Sequence, residues 1–134
     1  MRFVALVLCV ALGGCISLRP VAKTVDSPSG VRVVLKEQDD DLFRLEVINY
    51  SQCVILVDRD RVTLTSDAGW RRERIPGGAG SLYTIIPGGH HAVHVKFKLD
   101  DLQKGQRVAI SFDGAVVAQT GQPLPVSPLE FDVE

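Results

Sequence analysis

The chain has 134 residues, with 15 Lys and Arg against 16 Asp and Glu and a formal net charge of −1. That length suits one domain with a single hydrophobic core, and the near-neutral balance gives no whole-protein ground for nucleic-acid binding. Three cysteines and a single methionine, Met1, speak against a disulfide framework and exclude a methionine-rich copper site.

Met1-Arg2 precedes an unbroken apolar run over residues 3–12, followed by Gly13-Gly14-Cys15. One positive charge, a short apolar stretch and small residues at its end are the layout of an export signal. The run is half of the roughly twenty residues that a spanning helix needs. Leu12-Gly13-Gly14-Cys15 resembles the lipobox of bacterial lipoproteins, with all four positions matching. The resemblance implies diacylglyceryl attachment to the Cys15 sulfur, cleavage before Cys15 and acylation of the new amine. With two or three chains, at about 0.8 kcal/mol per buried CH₂, the anchor is expected to be firm. Ile16 stands where aspartate favours inner-membrane retention in enteric-type lipoproteins, so the resemblance leans towards an outer membrane, on its periplasmic side. Residues 1–14 are thus expected to be removed as a signal peptide. That takes away one base, Arg2, and leaves the mature chain with an excess of two acids.

Residues 15–30 are read as the lipidated N-terminus and a flexible tether. They lack sustained periodicity and contain Pro20, Pro28 and Gly30. Residues 16–30 would reach about 50 Å fully extended and average roughly 20 Å as a coil. Cys9 leaves with the leader and Cys15 is lipidated, so Cys53 has no intramolecular partner. Its place before the apolar run 54–57 predicts a small buried residue rather than a reactive thiol.

From residue 31 the period is two. Val31, Val33 and Leu35 open it, and Phe43, Leu45 and Val47 follow. Val62 and Leu64 come next, then Val93, Val95, Phe97 and Leu99, then Val108, Ile110 and Phe112, and finally Leu129, Phe131 and Val133. One apolar face per strand predicts sheets that cover a core on one side and meet water on the other. Residues 54–57 read as a more buried strand and 82–86 as another. Turn signals separate them, among them Asp39-Asp40-Asp41, Asp67-Ala68-Gly69 and two copies of Ile-Pro-Gly-Gly at 75–78 and 86–89. No helical period of useful length follows the leader. The expected fold class is all-β, an antiparallel sandwich of about seven to nine strands over residues 31–134. The order of Asn49-x-Ser51, a buried strand, Asp67-x-Gly69, Ile86-Pro87-Gly88 and a strand ending at Phe97 resembles the immunoglobulin-type, telokin-like domains of bacterial lipoproteins and secreted proteins. That resemblance implies a sandwich with an extracytoplasmic interaction role, and it carries no functional residues with it.

His90, His91 and His94 are candidate metal ligands. On one strand His90 and His94 lie roughly 13 Å apart, which is too far to share an ion. A solvated strand entrance is the plainer reading. Asp39, Asp40 and Asp41, and Asp58 with Asp60, lack the ligand spacing of a calcium loop. Gly77-Gly78-Ala79-Gly80-Ser81 lacks the lysine and helix of a phosphate loop. The segment richest in possibilities is basic: Arg59 and Arg61, then Trp70, Arg71, Arg72 and Arg74. If the two parts pair as a hairpin, several guanidinium groups share a face beside an indole. Such a patch suits lipid head groups, a glycan or an acidic partner, with Asp58, Asp60 and Glu73 placed to neutralise part of it.

The function expected from these readings is that of a non-enzymatic, lipid-anchored envelope protein whose domain serves interaction or assembly. Its membrane contact is the N-terminal lipid and its partner is an envelope protein or glycan. No cofactor is expected. The alternative is a periplasmic carrier of a metal or small ligand.

Overall fold

The computed structural model describes residues 16–78 and 80–134. The leader, the lipobox, Cys15 and Ala79 lie outside the described residues. Twelve strands occur among those described: β1 (Leu18–Pro20), β2 (Thr24–Asp26), β3 (Val31–Asp39), β4 (Leu42–Asn49), β5 (Ile55–Asp58), β6 (Thr63–Ser66), β7 (Arg71–Glu73), β8 (Leu82–Ile85), β9 (His90–Lys96), β10 (Arg107–Ser111), β11 (Val116–Ala118) and β12 (Leu129–Val133). All their pairings are antiparallel. They form a five-stranded sheet in the order β1-β12-β10-β6-β7, a four-stranded sheet β2-β3-β4-β9 and a three-stranded sheet β11-β5-β8.

The alternation in the sequence is the cause. Along β4, Phe43, Leu45, Val47 and Asn49 are buried and their neighbours half-buried. Phe43 closes the two larger sheets over each other. Its ring lies 5.4 Å from that of Phe131 on β12 and 6.2 Å from that of Phe97, both tilted. Phe43, Phe97, Phe112 and Phe131 are fully buried, each worth about 1.5–3 kcal/mol of burial. The core is thus the interior of an all-β sandwich.

β3 and β4 make a hairpin in which Asp39 faces Leu42, so the acidic triplet is its tip. Asp40 takes φ 54° there, a left-handed conformation that aspartate tolerates. A register shift between Leu35 and Glu37 makes Lys36 the extra residue of a bulge.

Two expectations are corrected. Residues 16–30 do not form a free tether. β1 adds to the edge of β12, with Leu18 opposite Val133 and Pro20 opposite Phe131, and β2 adds to β3. Leu18 is buried, Gln38 Nε2 donates to its carbonyl at 2.9 Å, and Arg19 pairs with Glu134 at 2.7 Å. Three-residue strands are too short to show a period, and burying one leucine with a row of ladder bonds suffices to hold β1. Cys53 is exposed rather than buried. The turn at Ser51 carries it outward, and the inward-facing apolar pattern begins two residues later at Ile55.

Candidate functional site

A concavity opens beside the N-terminal end of the described chain. It is a groove of about 850 Å³ between the N-terminal segment, the bulged end of the β3–β4 hairpin, Ile75 and the loop after β9. Its apolar lining comes from Ile16, Leu18, Pro20, Leu35, Ile75 and Leu99. Lys23, Lys36 and Lys98 stand around it together with Asp40, Asp41 and Asp100. Glu37 also lines it, but its carboxylate is held by Arg44 at 2.6 Å.

The N-terminal wall is held by backbone hydrogen bonds. Ser17 N–H donates to Glu134 and Glu134 N–H donates back to Ser17, both at 2.8 Å. Val21 N–H bonds the Glu130 carbonyl at 2.8 Å and Leu35 N–H bonds that of Lys23 at 2.7 Å. Such reciprocal ladder bonds satisfy the segment's backbone groups and hold it on the sheet edge.

The opposite wall is Ile75 with Lys98, Leu99 and Asp100; the basic segment stands behind it, and here the arginines part company. β6 and β7 pair as a hairpin, with Leu64 opposite Arg72 and Thr65 opposite Arg71. Arg72 stacks over Trp70, its guanidinium carbon 4.2 Å from the ring centroid. The same group grips Asp101 through two bonds, at 2.8 and 3.0 Å, and donates to the Lys98 carbonyl. This fork–fork contact holds the loop that carries Lys98, Leu99 and Asp100. It also holds the Asp101 carboxyl below its ordinary range. Arg74 pairs with Asp60 at 2.6 Å and bonds the Gly77 carbonyl at 3.1 Å. Ile75 N–H bonds the Lys96 carbonyl at 2.7 Å. Arg61 lies 3.6 Å from Asp58.

Arg59 is buried. It donates to three backbone carbonyls, those of His94 at 3.2 Å, Gly77 at 2.9 Å and Gly80 at 2.6 Å. Its Nε is buried and has no hydrogen-bond partner among the described residues. The glycine-rich loop therefore serves a cation inside the protein: its carbonyls receive a guanidinium. Of the six residues named for an exposed patch, Arg59, Arg61, Arg72 and Arg74 have partners within the molecule. Trp70 is half-covered by Arg72, and Arg71 is exposed on the outer strand. The period-two signal pointed to the burial of Arg59, since it continues the inward parity of Ile55 and Val57.

The histidines do not converge. His90 Nδ1 lies 2.9 Å from the Glu46 carboxylate. His91 stacks on Tyr83 with centroids 4.3 Å apart, and His94 stands exposed opposite Arg44. Among the described residues no three His, Cys, Asp or Glu side chains are grouped to hold a metal, and no helix is long and apolar enough to cross a membrane.

No protein-family profile and no curated protein matches the chain. Among solved structures it is similar to Northeast Structural Genomics Consortium target SoR45, with 14% identity and a TM-score of 0.45 over 86% of this chain and 81% of that one. It is also similar to a Bordetella pertussis structural-genomics target described as a candidate ApaA protein, with 14% identity and a TM-score of 0.43 over 87% of this chain and 89% of that one.

Proposed function

We propose that the chain is a lipid-anchored envelope protein whose immunoglobulin-like β-domain is a non-catalytic interaction or assembly module held against a membrane. The anchor is the lipobox cysteine, Cys15. The observation that carries the reading is the reciprocal Ser17–Glu134 pair. It ties the chain to the body of the domain two residues after Cys15, so a lipid at Cys15 has no linker between it and the fold. The domain then stands on the bilayer with its groove end down and displays the opposite end and the sheet faces to partners. The antiparallel sheets and the buried aromatic centre support the immunoglobulin-like reading of the sandwich.

The test is fractionation with metabolic labelling. The parent chain should take up a palmitate analogue and sediment with membranes. Cys15→Ala should lose the label and appear in the soluble envelope fraction. A Cys15→Ala chain that still labels and sediments sinks the reading.

A further inference from the structure

The groove adjoins the anchor, and its lining states what it suits. We propose that it shelters an acyl chain carried on Cys15 while the protein is out of a bilayer, and that the chain leaves it on insertion. The proposal rests on the lipidation of Cys15 proposed above.

Position is the first ground. Ile16 and Ser17 both line the groove, and Ser17 is fixed by its two bonds to Glu134. Consecutive Cα atoms lie about 3.8 Å apart. A chain carried on the Cys15 sulfur is thus joined to the groove's own lining by a single peptide unit.

Chemistry is the second. Leu18, Leu35, Ile75 and Leu99 give a floor that an aliphatic chain covers without leaving a polar group unpaired. Ile75 is 38% exposed, a large apolar side chain in water beside an apolar trough. The aliphatic stems of Lys23, Lys36 and Lys98 extend the cover while their ammonium groups stay wet. About 850 Å³ falls within the roughly 300–1,000 Å³ of ligand pockets.

Charge selects among occupants. Three lysines stand against three aspartates around the rim, and Glu37 is neutralised by Arg44. That balance gives no net pull on an anionic head group, so the groove is poorly suited to an acidic lipid surface. An uncharged tail delivered by covalent attachment needs no such pull. A bilayer covers the tail on all sides, whereas the groove leaves one side open. The bilayer therefore wins when it is present, and the groove matters only in water.

The full chain, produced with a palmitate analogue bearing a diazirine, tests this. Purified protein is irradiated in detergent-free buffer and again in phosphatidylethanolamine–phosphatidylglycerol vesicles. Adducts are mapped by mass spectrometry, with isotope-mixed samples separating intramolecular from intermolecular products. Intramolecular adducts are expected on peptides holding Leu35, Ile75 and Leu99 in buffer, and they should fall several-fold in vesicles. Ile75→Glu, at a partly exposed site, should reduce them in buffer while leaving the unfolding midpoint of the unlipidated Cys15→Ala chain unchanged. Label present on Cys15 with no adducts in the groove overturns this proposal and leaves the anchor standing. Absence of label on Cys15 overturns both.

Discussion

Arg59 Nη2 donates to the carbonyl of Gly80 at 2.6 Å, so a glycine-rich loop is closed around a buried guanidinium. The same side chain reaches the His94 carbonyl on β9, which ties the loop to the edge of the four-stranded sheet. Hydrogen bonds with a charged donor contribute about 1.5–3 kcal/mol each and are not additive. Arg59→Ala should therefore lower stability by about 2–4 kcal/mol, read as a lower urea midpoint. Arg59→Lys should recover only part, because a point-charge ammonium does not reproduce the planar fork. An unchanged midpoint in both variants would show that the loop does not depend on this residue.

Gly78 separates close approach from backbone strain. Its φ is +79°, and a Cβ there would lie 3.0 Å from Arg59 Nη1 and 3.1 Å from Nη2. Gly80 has nearly the same φ, +78°, with nothing within 4 Å among the described residues. A left-handed conformation costs an L-residue about 1–2 kcal/mol. Gly80→Ala should show that cost alone, and Gly78→Ala should show more, because the guanidinium must also shift. Equal losses in the two variants would mean that the guanidinium moves freely.

The sequence displays most of this architecture and hides a definite part of it. Eight strands, β3 to β6, β8 to β10 and β12, follow apolar alternation or an apolar run. The four that do not, β1, β2, β7 and β11, have three residues each, less than two full periods. Arg71–Glu73 contains no apolar residue at all and is a strand only because β6 is beside it. The groove was invisible because its walls are assembled from segments far apart in the chain, with Ile16, Leu35, Ile75 and Leu99 converging only after folding. The arginine patch was legible as a hairpin. Its ion pairs were legible only in part: Asp60 lies near Arg74 in sequence, but Asp101, which holds Arg72, is 29 residues distant.

Asn49 is a turn signal in the sequence and a buried hub in the fold. It is fully buried. Its Nδ2 donates to the carbonyls of Cys53 at 2.8 Å and Ile85 at 3.0 Å. Its Oδ1 accepts from Ser51 N–H at 3.0 Å and from Ser51 Oγ at 2.6 Å. Asn49→Ala strands these groups and should cost about 2–3 kcal/mol. Asn49→Asp should cost more at neutral pH despite its matching shape. It keeps the acceptor but turns a buried negative charge towards two carbonyls. The difference between the two variants should narrow in acid, where the protonated carboxyl regains a donor. Chemical denaturation at two pH values checks both claims, and an Asp variant as stable as the parent refutes them.

Cys53, exposed beside Ser51, should react with a maleimide in the folded protein at a rate close to that in the urea-unfolded chain. Burial is what protects an inert structural thiol. Mass spectrometry of the labelled peptide reads the outcome. Labelling confined to the unfolded chain would restore the expectation of a buried residue.

Arg72 joins an indole, a carboxylate and one wall of the groove, so its pH dependence is readable at Trp70. The Arg72 guanidinium lowers the Asp101 carboxyl from its ordinary 3.8, chiefly by hydrogen bonding. A depressed folded value means that the ion pair contributes fully above the ordinary value and loses its contribution as pH falls from there through the folded one. Asp101 is exposed, so the stability change should be below about 1 kcal/mol and hard to see in a melting curve. The indole is a better reporter, because Trp70 is the only tryptophan of the chain and Arg72 lies on its face. Its fluorescence should be flat from neutral pH down to the carboxylate range and change below it. In Asp101→Asn that acid transition should vanish, with the neutral-pH emission already shifted. A transition of the same size in the variant would assign the signal to another carboxylate and detach Arg72 from the control of this wall.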